Sequence, residues 1–179
     1  WEPGAFFYSR TSNPTTAALE SKLASLEGAE SAIASASGMA AVSASLLAHL
    51  KAGDHLVIAD DLFIISQLLF AEDFPTRGIE VTPVAITDLD AVRAAMRPNT
   101  KVIYAEVLSN PWMRVSDIPA LSKIAHASKA LLVIDNTFLS PAVVRPLELG
   151  ADLVLHATTK WLAGHGDAIG GVVSGAKAL

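Results

Sequence analysis

Apolar and polar positions follow two periods along this chain, and they predict helices alternating with strands. Asn13 and Pro14 are typical of a helix start, Gly28 is typical of a helix end, and the residues between them carry an apolar stripe of Leu19, Leu23 and Leu26. Four more helices are predicted, one after Gly38 up to about residue 49, one ending near residue 74, and two over 88–96 and 117–127.

Short apolar runs bounded by turn residues predict the strands. They lie over 31–36, 54–59, 79–84, 101–107, 131–134, 152–155 and 168–173. The run 131–134 is apolar throughout, which is typical of a parallel strand buried on both faces. Strand and helix units in this order predict an α/β fold of three layers, with a mostly parallel sheet covered by helices on both faces.

Four polar clusters directly follow predicted strands. Because ligands of open parallel sheets bind beyond the carboxyl ends of the strands, we expect the clusters to converge on one site. They are Ser37-Gly38-Met39, Asp60-Asp61, Asp135-Asn136-Thr137, and His156 through Lys160.

Composition narrows the class of protein. With 179 residues, 51% hydrophobic and 17% charged, the chain is long and apolar enough to fold around a core. Its mean hydropathy of +0.42, without an apolar run near the roughly 18 residues that span a bilayer, favours burial against other domains or subunits over a membrane. A net charge of −5 without a basic cluster argues against nucleic acid. The lack of cysteine excludes thiol catalysis and fits a reducing cytoplasm.

Lys160 is the most informative single residue. It ends the segment His156-Ala157-Thr158-Thr159-Lys160, between a buried-type strand and a glycine-rich stretch. A solvated surface charge explains this position poorly. An ammonium in a poorly hydrated site loses its proton more easily and becomes a nucleophile, so we interpret Lys160 as a Schiff-base lysine.

Two further features allow a functional and a structural interpretation. Gly38 begins a helix whose N-terminal N–H groups suit a phosphate, but glycine also begins helices for packing reasons. Asp135 follows a buried strand, where its carboxylate needs a partner; a protonated cofactor ring nitrogen or a capping role at the next turn would each supply one. His156, His165 and Asp167 lack the spacing of a metal site, and none is predicted.

The motifs together resemble the cystathionine γ-synthase/methionine γ-lyase family, the pyridoxal-phosphate enzymes of Cys/Met metabolism. The resemblance covers essentially all 179 residues. It rests on Tyr8-Ser9-Arg10-Thr11-Ser12-Asn13-Pro14-Thr15, Ser37-Gly38-Met39-Ala40, Glu106 with Ser109-Asn110-Pro111, Asp135-Asn136-Thr137, and Thr159-Lys160 with Gly164-His165 and Asp167.

The resemblance implies a fold-type I, aminotransferase-like large domain over residues 16–179, which binds pyridoxal 5'-phosphate. Residues 1–15 would form an arm to a neighbouring subunit, in dimers that share active sites and pair into tetramers. The resemblance also implies a smaller C-terminal domain that supplies the arginine for the substrate carboxylate, and we expect it to lie outside these 179 residues.

The resemblance also implies a role for each site residue. Lys160 would hold the cofactor as an internal aldimine and then shuttle protons, while Asp135 would pair with the ring nitrogen. The remaining contacts would come from Gly38, Met39 and Thr159 to the phosphate, Asn110 to the phenolic oxygen, Thr137 and Phe63 to the ring, and Tyr8 and Arg10 to the neighbour's phosphate. The implied reaction is carbon–sulfur lysis or β/γ-replacement on sulfur amino acids or homoserine derivatives.

Two departures from the family pattern leave an alternative open. Phe63-Ile64-Ile65 stands where the family has tyrosine and two glycines, and Ala157 replaces a serine that binds the phosphate. Phenylalanine can stack on the ring but cannot move a proton. The alternative is a module that binds the cofactor without catalysis; a nucleotide-binding domain ranks below it, because the glycine fingerprint is missing.

Overall fold

The computed structural model of the chain describes residues 6–179, which build a seven-stranded sheet. The spatial order of the strands is β1-β7-β6-β5-β4-β2-β3. Only β7 runs antiparallel to its neighbours, β1 and β6, and the other pairs are parallel. The strands are β1 (Ser31–Ser35), β2 (His55–Ala59), β3 (Glu80–Val84), β4 (Thr100–Glu106), β5 (Leu131–Asp135), β6 (Leu153–Ala157) and β7 (Gly171–Gly175).

Six α-helices connect or flank the strands within the described residues. A π-helical turn joins the third helix to the fourth, and a short 3₁₀ helix, Pro146–Leu149, precedes β6. The helices are α1 (Pro14–Glu27), α2 (Gly38–His49), α3 (Ile64–Leu68), α4 (Phe74–Thr76), α5 (Leu89–Ala95) and α6 (Ile118–Ala127), with the π turn at Leu69–Asp73. The sequence predicted one helix up to about residue 74, so the break into three segments is a correction.

Helix α1 begins and ends where the sequence predicts. The Asn13 carboxamide oxygen accepts hydrogen bonds from the N–H groups of Thr15 at 2.9 Å and Thr16 at 3.3 Å. Gly28 ends the helix in the left-handed conformation, with φ of 70°, which glycine adopts without a steric penalty.

The predicted apolar stripe of α1 is wrong at two of its three positions. Leu23 is buried, whereas Leu19 and Leu26 are exposed. The helix instead turns Leu23, Ala24 and Glu27 toward the sheet. A count of apolar residues misses this face because one of its buried members is a carboxylate.

Helices α1 and α2 lie on opposite faces of the sheet at β6. His156 contacts Glu27 of α1, whereas the next residue, Ala157, lies against Gly38 of α2. Successive side chains of a strand point to opposite faces, so the two helices cover different sides. The predicted three-layer α/β fold is confirmed.

The last strand starts three residues later, and ends two residues later, than the sequence predicts. Strand β7 begins at Gly171, not at residue 168, and Gly171 pairs with both Ser35 and Ala157. The N–H of Thr158 donates to the carbonyl of Gly170 at 2.9 Å, and the glycine-rich residues 164–170 contain no strand. No helix within residues 6–179 is long and apolar enough to cross a membrane.

Candidate active site

The carboxyl ends of the parallel strands and the start of α2 surround a cavity of about 650 Å³. Three of the four polar clusters predicted to converge contribute to its wall, and Asp60-Asp61 does not. Eight of the ten predicted site residues line it. They are Lys160, Asp135, Gly38, Met39, Thr159, Phe63, Thr137 and Asn110.

Lys160 lies in a turn just after β6. The Lys160 N–H donates to the Ala157 carbonyl at 3.2 Å, and the Gly164 N–H donates to the Lys160 carbonyl at 2.9 Å. This turn extends beyond the edge of the sheet, so the lysine side chain lines the cavity but is exposed. In the isolated chain the prediction of a poorly hydrated lysine is therefore wrong. The position of Lys160 beside the cavity nevertheless fits a nucleophile.

Asp135 makes the capping contact that the sequence allowed, and it also lines the cavity. Its Oδ1 accepts the N–H of Thr137 at 2.8 Å, which closes the turn after β5. Its Oδ2 accepts the hydroxyl of Tyr104 at 3.2 Å. An acceptor of this kind can take a second donor, so the capping role and a contact to a ring nitrogen are compatible.

Gly38 is required by a close approach between α2 and β6. A Cβ atom at this position would lie 2.5 Å from the Cβ of Ala157, too close for any side chain. Ser37 caps the helix by accepting the N–H of Ala40 at 3.1 Å. The first N–H groups of a helix lack partners inside it and attract anions, so packing holds an anion-binding helix end against the cavity.

Two threonine hydroxyls fix the backbone around the cavity. Thr137 Oγ1 accepts the N–H of Ala157 at 2.8 Å and so joins the ends of β5 and β6. Thr159 Oγ1 accepts the N–H of Gly170 at 3.3 Å. Both hydroxyls can still donate a hydrogen bond toward a ligand.

Glu106 organises one wall of the cavity, and the sequence analysis gave it no role. Its Oε1 accepts the N–H of Phe63 at 2.6 Å, and its Oε2 accepts the N–H of Asn110 at 3.3 Å. One carboxylate thus holds two predicted site residues. Burial raises the pKa of Glu106 to about 7, with further increases from Asp135 and Asp61, although the two N–H donors oppose the rise.

Tyr104 is the second site residue that the sequence analysis missed. It is fully buried, and burial followed by the nearby charges of Asp135 and Glu106 raises its pKa well above the usual value. The phenol therefore stays protonated and donates to Asp135. The sequence held a signal for Tyr104, because alternation along a strand places residues 104 and 106 on the same face of β4. Glu106 in turn lies beside Asp135 in the register of β4 and β5.

Tyr8 and Arg10 lie outside the cavity. Both are exposed, and the Arg10 guanidinium lies 5.1 Å from the centre of the Tyr8 ring. The Tyr8 carbonyl accepts the N–H groups of Thr11 and Ser12, which forms a turn ahead of α1. Residues 1–5 of the predicted arm lie outside the described part.

The three residues considered for a metal do not form one cluster. His165 lines the cavity, whereas His156 is buried on the opposite face of the sheet. In residues 6–179, no three His, Asp or Glu side chains come together in a way that could hold a metal ion. The cavity instead combines an amine, a carboxylate, an aromatic ring and an anion-binding helix end, which suits a ligand with an anionic group and a basic ring.

Replacement of Glu106 by glutamine is expected to change how stability depends on pH. The folded carboxyl, with a pKa of about 7 against the ordinary 4.5, binds a proton that the unfolded chain has released. The wild-type free energy of unfolding should therefore fall, relative to that of Glu106→Gln, as pH rises from 4.5 to 7. The loss is at most about 3 kcal/mol, measured by urea unfolding of cofactor-free protein.

Glu72→Gln is the matched control, because it removes a carboxylate from an exposed position. Parallel stability curves for wild type and Glu106→Gln between pH 4.5 and 7 would show that Glu106 is not the buried, proton-holding group described above.

Comparisons with known proteins agree with this geometry. The family model for "Cys/Met metabolism PLP-dependent enzyme" matches residues 1–178. An L-methionine γ-lyase of Fusobacterium nucleatum subsp. polymorphum is 46% identical over 173 residues, which are 96% of this chain and 44% of that protein. A canavanine γ-lyase of Pseudomonas canavaninivorans is 46% identical over 178 residues, 99% of this chain and 44% of that protein.

A solved structure gives the same result for the fold. The crystal structure of cystathionine γ-lyase from Lactobacillus plantarum, complexed with L-serine, has a TM-score of 0.95 and 42% identity, and it covers 98% of this chain and 46% of its own. The chain thus spans less than half the length of these relatives. By sequence and by fold, it belongs to the pyridoxal-phosphate-dependent enzymes of Cys/Met metabolism.

Proposed function

We propose that the protein with this chain is a carbon–sulfur lyase or β/γ-replacement enzyme that acts on sulfur amino acids or homoserine derivatives. The observation that carries the proposal is that Lys160, Asp135 and the N-terminus of α2 line one cavity. The relatives named above include lyases for methionine and canavanine, which supports a γ-lyase type of chemistry.

The cavity has a group for each part of pyridoxal 5'-phosphate. The N–H groups of Gly38 and Met39, with the Thr159 hydroxyl, would bind the phosphate at the α2 N-terminus. Asp135 would accept from the ring nitrogen, and Tyr104 keeps that carboxylate in place. When bound, the cofactor supplies an electron sink for negative charge at the substrate α-carbon.

The ring itself would be held by side chains from three segments. Phe63 supplies an aromatic face for stacking, and Glu106 fixes the backbone of Phe63. Asn110 would donate to the phenolic oxygen and Thr137 would orient the ring. Together these contacts would hold the ring in one orientation beside Lys160.

Lys160 would have two tasks. Its Nζ atom is the proposed covalent attachment point of the cofactor, and once released it would take the substrate α-proton and return it elsewhere. The exposed position of the side chain leaves it free to reach both places.

A second candidate, cofactor binding without catalysis, is favoured by Phe63 and Ala157. Phe63 brings no hydroxyl to the cavity wall, and the Ala157 N–H is already taken by Thr137. The remaining cavity groups that can carry a proton include Lys160, Glu106 and His165. Retained proton carriers favour catalysis over the inert alternative.

We also propose a homo-oligomer in which each arm completes the site of a neighbour, in dimers that pair into tetramers. Two observations support this: Tyr8 and Arg10 lie away from their own cavity, and large apolar side chains at Ile64, Trp112 and Trp161 are exposed. A cytoplasmic location stays a prediction that rests on the cysteine-free composition.

Lys160→Ala in the full-length protein is expected to remove the borohydride-reducible attachment of pyridoxal phosphate. Peptide mass spectrometry after reduction should find the adduct on Lys160 in the wild type and in the control described below, but no adduct in Lys160→Ala. Turnover should fall by at least about a hundredfold, because the proton carrier is lost. Lys101→Ala, an exposed lysine on β4, is the control, and an adduct on any residue other than Lys160 contradicts the assignment.

Phe63→Tyr tests whether the missing phenol limits the reaction. With cysteine, cystathionine, methionine and O-acylhomoserines as substrates, turnover should rise by about tenfold for at least one of them, since a phenol can move a proton to the leaving group. Phe138→Tyr is the control, because Phe138 lines the same cavity. If neither wild type nor Phe63→Tyr turns over any substrate, the inert module is the correct function.

Subunit mixing tests the shared site. Arg10→Ala and Lys160→Ala proteins should each be nearly inactive, but a mixture that has exchanged subunits should regain activity. Random pairing of subunits makes about half of the dimers mixed. One of the two sites in each mixed dimer combines an intact arm with an intact Lys160, so the mixture should regain about a quarter of the wild-type activity. Activity that stays at the sum of the two variants would mean that the arm serves its own subunit or none.

A further inference from the structure

A buried polar cluster joins α1 to the ends of β5 and β6. Glu27, His156 and Asn136 each expose at most 1% of their surface. His156 Nε2 lies 2.5 Å from Glu27 Oε1, and the Asn136 Nδ2 donates to the same oxygen at 3.3 Å and to the Val144 carbonyl at 2.9 Å. One carboxylate oxygen therefore holds two strands.

The cluster lies back to back with the proposed cofactor site. Asn136 directly follows Asp135, and His156 directly precedes Ala157 in the strand that leads to Lys160. Alternation along the strands sends Asn136 and His156 away from the cavity while their neighbours face it. A shift of either cluster residue would thus move a residue of the cavity wall.

The ends of β5 and β6 are fastened on both faces. On the cavity face, Thr137 Oγ1 accepts the N–H of Ala157. On the far face, Glu27 holds Asn136 and His156, and between the two contacts the N–H of Asn136 donates to the Leu155 carbonyl at 2.9 Å. The spacing between Asp135 and the turn of Lys160 therefore depends on three contacts, one of which comes from α1.

Burying polar side chains in such a cluster costs desolvation free energy that an apolar contact would not. A buried carboxylate loses its hydration, and Glu27 Oε2 and His156 Nδ1 make no hydrogen bond within residues 6–179. Well-packed apolar side chains of similar volume often replace a buried ion pair with no loss of stability. The polar cluster fixes the geometry of the two strand ends more narrowly than apolar contacts would, because hydrogen bonds are directional.

We propose that Glu27 is a positioning residue for the cofactor site. By holding Asn136 and His156, it sets the distance between Asp135 and Lys160 and so determines how tightly the cofactor ring is bound. This inference rests on the proposed function, since it assumes that Asp135 and Lys160 hold pyridoxal phosphate. Glu27 touches neither cofactor nor substrate in this role.

The test compares Glu27→Leu with Glu27→Gln in the full-length protein. Leucine removes the acceptor of both strands, whereas glutamine keeps a carbonyl oxygen that can accept from both. Glu20→Leu is the matched control, because Glu20 lies on the same helix and accepts the N–H of Ala34 in β1, a strand that contributes no residue to the cavity wall. Titration of cofactor-free protein with pyridoxal phosphate gives the Kd, and the visible absorbance band reports the environment of the bound ring.

Glu27→Leu is expected to raise the Kd by about tenfold or more and to shift the visible band, because two buried donors lose their acceptor. Glu27→Gln should stay within about threefold of wild type, and Glu20→Leu should lower the thermal stability without changing the Kd. If Glu27→Leu does not fold, His156→Phe, which keeps a ring but removes the polar nitrogen that faces Glu27, is measured in its place and should raise the Kd severalfold.

The inference is overturned if folded Glu27→Leu, or His156→Phe in its place, binds pyridoxal phosphate with the wild-type Kd and absorbance. It is also overturned if Glu20→Leu raises the Kd equally, because the effect would then follow from any loosening of α1. Failure of the wild type to bind the cofactor at Lys160 would refute the proposed function instead, so the two failures are distinguishable.

Discussion

Parallel pairing of β4, β5 and β6 is the constraint on which the site depends. In this register Glu106 lies beside Asp135, and Asp135 beside Leu155, so three strands end at the same edge of the sheet. Parallel strands bring side chains that are distant in sequence to one edge without any special loop. The pairing beyond β5 continues through Asn136, which keeps the two strand ends from separating.

Buried or half-buried polar groups then convert this edge into a defined site. Asp135, Glu106 and Glu27 each accept two hydrogen bonds from different segments. Each carboxylate must recover its lost hydration from a few fixed donors, which makes its geometry much narrower than that of an apolar contact. Packing contributes in the same place, where Gly38 permits α2 to lie against Ala157.

Much of the fold could be predicted from the sequence because its signals are local. Asn13 and Gly28 determine the ends of α1 through their own backbone and side-chain preferences, and the uninterrupted apolar run of β5 identified a central strand. Local sequence signals failed to predict features that depend on the packing around a residue. Leu19 and Leu26 are exposed although their spacing is helical, and the π-helical turn at Leu69–Asp73 has no sequence signature that periodicity detects.

The sequence by itself determined the residue types of the site, the order of the strands along the chain and the family resemblance, since these depend on chemistry and spacing along one dimension. Only the tertiary structure decided that Tyr104 supports Asp135, that Glu106 holds Phe63 and Asn110, and that Lys160 is exposed. Likewise, Glu27 and His156 are 129 positions apart. Partnerships over such separations are set by the packing of helices on the sheet, and no local pattern records them.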